Sequence, residues 1–282
     1  MEILSVQELV KKYPAFTLGP VSFSLEEGYI LGFIGRNGAG KTTTLKSMIG
    51  FVHPDAGSVS ICGMDFRAQE DACKRAIGVV FGEFPYYLNK KLSAITAVTR
   101  AFYDKWDEGR YRAFVRDFAL DESKRINQLS AGMRVKYSLA LALSHNARLL
   151  LLDEPTSGLD PVSRDELMQI FRDIVSDGEH SILFSTHILS DLDRCADQIV
   201  YIRDGKILEN CDIESLRDKY SLVSGTKAQL ENTKDALFGC QENAFGFIGL
   251  MKSQDRESYP DLTFARPTVE DIMVYREKEE RA

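Results

Sequence analysis

The segment Gly35-Arg36-Asn37-Gly38-Ala39-Gly40-Lys41-Thr42 satisfies the pattern GxxxxGK[ST]. It stands between an apolar run, YILGFI, that ends at Gly35 and a helix-forming stretch, TTTLKSMI. No other feature constrains the fold as strongly. A strand that runs into a glycine-rich turn and then a helix turns backbone N–H groups toward an anion. Gly38 and Gly40 let the backbone wrap phosphates, Lys41 reaches the β and γ oxygens, and the Thr42 hydroxyl suits Mg²⁺. The nucleotide-binding loop is therefore read as Gly35 to Thr43, Ala39 included.

Around this loop, strand and helix patterns alternate. From residue 3 to about 65 the chain is strand-rich, with ILSV, VSFSL, YILGFI and a hairpin in HPDAGSVSICG. AQEDACKRA predicts a short helix and IGVVF a buried strand. Between Phe84 and Leu143 the strands stop, and SAITAVTRAFYDKW, GRYRAFVRDFAL and the run after LSAGM carry helical periodicity. RLLLLD, SILFS and QIVYIRDGKIL then alternate with helices in PVSRDELMQIFRDIVSD and ILSDLDRCA. This order predicts an α/β protein with a mostly parallel sheet, helices on its faces, and ligands beyond the carboxyl ends of the strands. After about residue 211 a motif-free mixed stretch predicts a small α/β appendix.

The net charge of −7 argues against a general nucleic-acid role, which needs a basic stripe to neutralise phosphates. Apolar runs stay well short of the ~20 residues that cross a bilayer. MEILSVQELVKKY has no secretory-signal pattern, so the expected compartment is the cytoplasm. The five cysteines stand far apart without CxxC pairs and read as buried thiols in a reducing compartment.

Other elements carry chemistry. LLLLDE delivers two acids to a strand's carboxyl end: Asp153, placed for the Mg²⁺ shell, and Glu154, placed to accept a proton from a water attacking the γ-phosphate. In LSAGM, Ser130, Ala131 and Gly132 form a tight turn capping a buried helix, a second place that attracts anions. SGLD, at 157 to 160, adds Asp160 on a loop; His187 follows a buried strand; Tyr13 precedes Gly35 by 22 residues. A lone histidine after a strand is more often structural, and His53, His145 and His180 keep that reading.

Taken in this order, Tyr13, the loop at 35 to 43, LSAGM, LLLLDE, SGLD and His187 resemble the nucleotide-binding subunit of an ABC transporter over residues 1 to about 211. The resemblance implies a P-loop ABC ATPase core with an antiparallel β subdomain, a helical subdomain inserted at about 84–143, and an accessory region at 212–282. It implies ATP and Mg²⁺ as cofactors, Tyr13 stacking on adenine, Glu154 as general base, and His187 contacting the γ-phosphate and the attacking water. It also implies a dimer, of identical or related chains, in which Ser130 and Gly132 close on ATP held by the other subunit and Asp160 bridges the pair.

Two positions depart from the family pattern. The usual glutamine after IGVVF is missing, and Glu83, beside Gly82, is the expected stand-in ligand for the ion. LSAGM replaces the commoner LSGGQ, which predicts a working but slower site. FYDKWDEGRYRAF, SLALALSH and RPTVEDIMV are most similar to bacterial ABC-2 exporters, such as the bacitracin-resistance, acetoin-associated and phenol-soluble modulin systems. In these the integral membrane subunit is a separate chain, so the resemblance implies an ATPase on the inner face of the membrane, docked through 84–143. An ABC ATPase acting on ribosomes or DNA usually has two cassettes or a long coiled coil, whereas this chain has one cassette and no heptad run. A module that binds ATP without turnover is disfavoured by the joint presence of Lys41, Asp153, Glu154 and His187.

Overall fold

Uninterrupted apolar runs in this chain become strands buried at every residue, and they hold the centre of its main sheet. The computed structural model describes residues 1–81 and 87–279. They form two compact units, Met1–His187 with Gln198–Asn210, and Ile188–Asp197 with Cys211–Ala282.

In chain order the elements are β1 (Glu2–Tyr13), β2 (Phe16–Glu26), β3 (Ile30–Ile34), α1 (Lys41–Met48), β4 (Ala56–Ile61), β5 (Met64–Asp65), α2 (Glu70–Ala76) and β6 (Ile77–Phe81). They continue with α3 (Leu92–Ala101), α4 (Glu108–Asp117), α5 (Ala131–Ser144), β7 (Leu149–Asp153), α6 (Pro161–Val175), β8 (Ser181–Thr186), α7 (Leu189–Cys195), β9 (Gln198–Arg203) and β10 (Lys206–Asp212). The main sheet runs β10-β9-β3-β8-β7-β6. From β9 to β6 every neighbouring pair is parallel. β3, β7 and β8 are buried throughout, which is why they carry uninterrupted apolar stretches, ILGFI, LLLL and ILF, rather than alternating patterns.

The second sheet runs β2-β1-β4-β5 and is antiparallel. Here one face is covered, so β2 alternates: Val21, Phe23 and Leu25 are buried while Pro20 and Ser22 are exposed. β1 is three times as long as the ILSV run that announces it. Its register shifts between Val6 and Leu9, where Glu8 has φ 48°, and this bulge breaks the period-two pattern that would have revealed the rest of the strand.

The helical segment has its own core of Leu92, Leu120, Ile126, Leu129, Tyr137 and Ala140. Inside it the Thr96 hydroxyl meets Tyr111 Oη at 2.8 Å and Tyr137 Oη at 2.9 Å, and Tyr137 donates to the Leu92 carbonyl at 2.9 Å. Burial pushes the Tyr111 phenol up to about 12. The second unit adds α8 (Ile213–Lys219), β11 (Tyr220–Gly225), α9 (Lys227–Thr233), β12 (Gly239–Glu242), β13 (Phe247–Lys252), β14 (Thr263–Ala265) and α10 (Val269–Glu279). Its antiparallel sheet, β12-β13-β11-β14, packs on Val223, Leu230, Phe247, Met251 and Leu262. Among the described residues no helix is long and apolar enough to cross a membrane.

His145, at the end of α5, keeps the structural role expected of it. Its ring stacks on Tyr103 with centroids 3.7 Å apart, and burial lowers its pKa from 6.5 to about 4. The folded protein holds this imidazole neutral while the unfolded chain protonates it below pH 6.5. Stability from this site is therefore complete above 6.5 and is lost as pH falls toward 4, by roughly 3 kcal/mol in all. His145→Phe keeps an aromatic ring against Tyr103 and removes the proton acceptor. Urea unfolding should show a smaller drop in midpoint between pH 7.5 and pH 4.5 for the variant than for the parent; equal drops would remove His145 from this role.

Candidate active site

At the carboxyl end of β3 the chain turns through Gly35 to Gly40 and enters α1. Gly35 sits so close to β9 that a Cβ there would lie 2.3 Å from the Ile202 carbonyl oxygen. Gly40, at φ +113°, is the N-cap of α1 and provides no side-chain cap, so no side chain competes for the N–H groups of the first turn. These free donors and the helix dipole suit an anion. They open on a pocket of about 350 Å³ whose walls include Phe16, Asn37, Lys41, Thr43, Glu154 and His187.

Two side-chain contacts converge on Glu154 in this pocket. Lys41 is only 6% exposed; its Nζ donates to the Gly35 carbonyl at 2.7 Å and pairs with Glu154 Oε1 at 3.1 Å. The other carboxylate oxygen of Glu154 is 2.7 Å from His187 Nδ1. The Glu154 side chain thus lies between the loop lysine and the histidine, close to both. Its backbone is left-handed, φ +52°, and its N–H donates to the Ser185 carbonyl at 3.1 Å and Oγ at 3.0 Å.

Asp153 is held from both sides. Thr42 Oγ1 donates to its Oδ2 at 2.8 Å and Ser185 Oγ to its Oδ1 at 2.5 Å. With its proton committed to Asp153, the Thr42 oxygen keeps lone pairs for a cation. Thr42 and Asp153 therefore fit Mg²⁺, an oxygen-seeking ion that fills its shell with phosphate oxygens and water. Among the described residues no group of three or more His, Cys, Asp or Glu side chains forms a self-sufficient metal cage.

The structure brings Arg36, Asn37, Gly38, Gly40, Lys41, Thr42, Thr43, Glu154 and His187 to one pocket. Gly35 and the buried Ala39 shape the loop behind it, and Asp153 lies behind Thr42. Tyr13 does not line the pocket; it is 41% exposed at the end of β1, with the Lys11 ammonium 5.8 Å from its ring. Phe16, its partner across the β1–β2 ladder, is the aromatic wall, and sequence reasoning missed it because the signal lies in strand register. Ser185 was missed for the same reason: it pairs with Asp153 across β7 and β8.

Ser130, Gly132 and Asp160 are absent from the pocket wall. Ser130 caps α5, accepting from Met133 N at 3.3 Å. Asp160 caps α6, accepting from Val162 N, Ser163 N and Ser163 Oγ at 3.0, 3.1 and 2.6 Å, and the Ser163 hydroxyl holds its carboxyl below the usual range. Glu83 lies outside the described residues.

Comparison with known proteins agrees with this geometry. A family model described as ABC transporter matches residues 18–157. The chain is 30% identical over 203 residues to the ABC transporter ATP-binding protein YtrB of Bacillus subtilis (strain 168), covering 72% of this chain and 69% of that protein. It is 30% identical over 225 residues to the bacitracin transport ATP-binding protein BcrA of Bacillus licheniformis, covering 77% and 72%. A solved ATP-binding subunit of an ABC transporter superposes with a TM-score of 0.69 at 28% identity, over 76% of this chain and 92% of that one.

Proposed function

This chain belongs to the ABC transporter ATP-binding proteins, and we propose that two copies of it power export through a separate integral membrane subunit. As a member of that family it binds and hydrolyses ATP, uses Mg²⁺, forms dimers and works with a membrane subunit. The observation that carries the site assignment is the meeting of Lys41, Thr42, Glu154 and His187 around one pocket at the end of β3.

In this reading the loop from Gly35 to Thr43 holds the phosphates through its N–H groups, and Lys41 leaves Glu154 to reach them. Thr42 and Asp153 would hold Mg²⁺, and Glu83, outside the described residues, is the expected further ligand. When bound, the ion neutralises charge that develops on the phosphate oxygens. Glu154 takes a proton from the attacking water, and His187, already beside it, orients that water and the γ-phosphate. Phe16 is the aromatic wall of the pocket, and Tyr13, its neighbour across the β1–β2 ladder, stacks on the adenine outside it. Ser130 and Gly132, at the uncovered start of α5, close the pocket of the second copy, and Asp160 bridges the two copies while it caps α6.

Two identical copies are favoured because one chain carries both halves of the arrangement, and a two-fold pair then completes two sites. Residues 1–211 are assigned as the ATP-binding domain and 212–282 as an accessory region, with the membrane subunit docking on the helices between 84 and 143. The chain works on the cytoplasmic face without nucleic acid. The cargo is a peptide, antibiotic or lipid-like molecule, and the bacitracin transport relative supports the antibiotic part of that range. The test is Mg²⁺-dependent phosphate release in proteoliposomes: turnover should rise when the membrane subunit is co-reconstituted, and a rate indifferent to every membrane subunit encoded beside it would overturn the export reading.

A further inference from the structure

Ser185 touches both acids of the site at once, and neither the phosphate loop nor the proton-transfer pair accounts for it. The residue is fully buried on β8 and stands opposite Asp153 in the parallel ladder. Its hydroxyl uses both of its capacities: it donates to Asp153 Oδ1 at 2.5 Å and accepts from the Glu154 N–H at 3.0 Å. Thr42 occupies the other Asp153 oxygen, so the plane of that carboxylate is pinned between a hydroxyl from α1 and one from β8. Glu154 is in a left-handed conformation, which a non-glycine residue keeps only when its surroundings over-determine it. The constraint on its N–H comes wholly from Ser185, through Oγ and through the carbonyl.

β8 is apolar from Ile182 to Phe184 and ends in two buried hydroxyl residues, Ser185 and Thr186, and a buried hydroxyl is unfavourable unless it is hydrogen-bonded. A second buried serine on the same strand, Ser181, shows what a purely structural hydroxyl looks like here. It accepts from Gly28 N at 2.9 Å and donates to the Glu26 carbonyl at 3.4 Å, and touches no residue of the pocket.

We propose that Ser185 is a positioning residue for ATP hydrolysis: its one hydroxyl sets the Asp153 carboxylate for the cation and the left-handed turn of Glu154 for proton transfer, coupling the two groups. This inference rests on the reading of the pocket as a Mg²⁺-dependent ATPase site. Without the hydroxyl, Asp153 keeps only its bond to Thr42 and the Glu154 N–H keeps only the Ser185 carbonyl, so the left-handed turn that carries the Glu154 side chain is less firmly set, whereas the phosphate loop is untouched.

The test compares Ser185→Ala, Ser185→Cys and Ser181→Ala. Ser185→Ala should lower kcat by about 10- to 100-fold, the usual range for groups that orient metal-holding side chains, with the KM for ATP little changed. By calorimetry, the gain in ADP affinity on adding Mg²⁺ should shrink in the same variant. Ser185→Cys keeps the volume and weakens both hydrogen bonds, so it should fall between. Ser181→Ala removes a comparable buried hydroxyl from the same strand and should keep parental kcat and Mg²⁺-dependent ADP binding, whatever it does to the melting temperature. Parental kcat and ADP binding in Ser185→Ala, or equal losses in Ser181→Ala, would overturn the proposal. If the parent protein itself showed no Mg²⁺-dependent turnover, the site assignment would fail instead, which is a separate result.

Discussion

Replacing Glu154 with glutamine should slow ATP turnover by about 10²- to 10⁴-fold, the range that general-base help supplies, while nucleotide binding survives. Glutamine is nearly the same size as glutamate and can still hydrogen-bond His187, yet it cannot take a proton from water. The structure adds a second expectation. Lys41 Nζ is paired with Glu154 Oε1 at 3.1 Å, so a phosphate entering the loop competes with this carboxylate for the lysine. Once the carboxylate is gone, Lys41 keeps its bonds to the Gly35 and Arg36 carbonyls, at 2.7 and 3.5 Å, and faces the phosphates without an anionic rival. Titration with ADP should therefore show equal or tighter binding in Glu154→Gln. Parental turnover in the variant would remove Glu154 from the chemistry, and loss of ADP binding would mean that the residue supports the loop instead.

Gly132→Ala separates folding from function. Gly132 is in the first turn of α5 with ordinary helical geometry, and a Cβ there meets its own chain no closer than 3.7 Å, at Leu159 Cδ2. Within one copy the methyl group fits, and alanine favours a helix over glycine by up to about 1 kcal/mol. The isolated chain should be as stable as the parent or more so. The added methyl instead occupies the surface that has to approach a phosphate held by the second copy. A displacement of about 1 Å there can cost on the order of 10²-fold in rate. The expected result is an unchanged or raised melting temperature, unchanged ADP binding, and turnover reduced by about that factor. Parental turnover would mean that LSAGM does not contact the triphosphate.

Much of this site was legible in the sequence because its parts are local. GRNGAGKT contains its own turn, its glycines and its lysine, and the strand and helix that flank it follow from adjacent residues. LLLLDE likewise places two acids at a strand end without reference to the rest of the chain. Residues that act through strand register were hidden. Phe16 reaches the pocket because it pairs with Tyr13 and leans on Gly40, and Ser185 reaches Asp153 because β8 lies beside β7 in one register. Asp160 shows a different limit. The run DPVS, with proline at the first helical position, holds a helix-start signal that sequence reasoning missed, and in the structure Asp160 caps α6.

The most direct test of the shared pocket is the mass of the Glu154→Gln protein in solution, measured by light scattering with and without ATP. With ADP or no nucleotide, the particle should have the 31.7 kDa of one chain. With saturating ATP it should double, because each copy's LSAGM closes on the triphosphate bound by the other. A particle that binds ATP fully and stays at 31.7 kDa would contradict this, since one chain would then hold the nucleotide without a second copy.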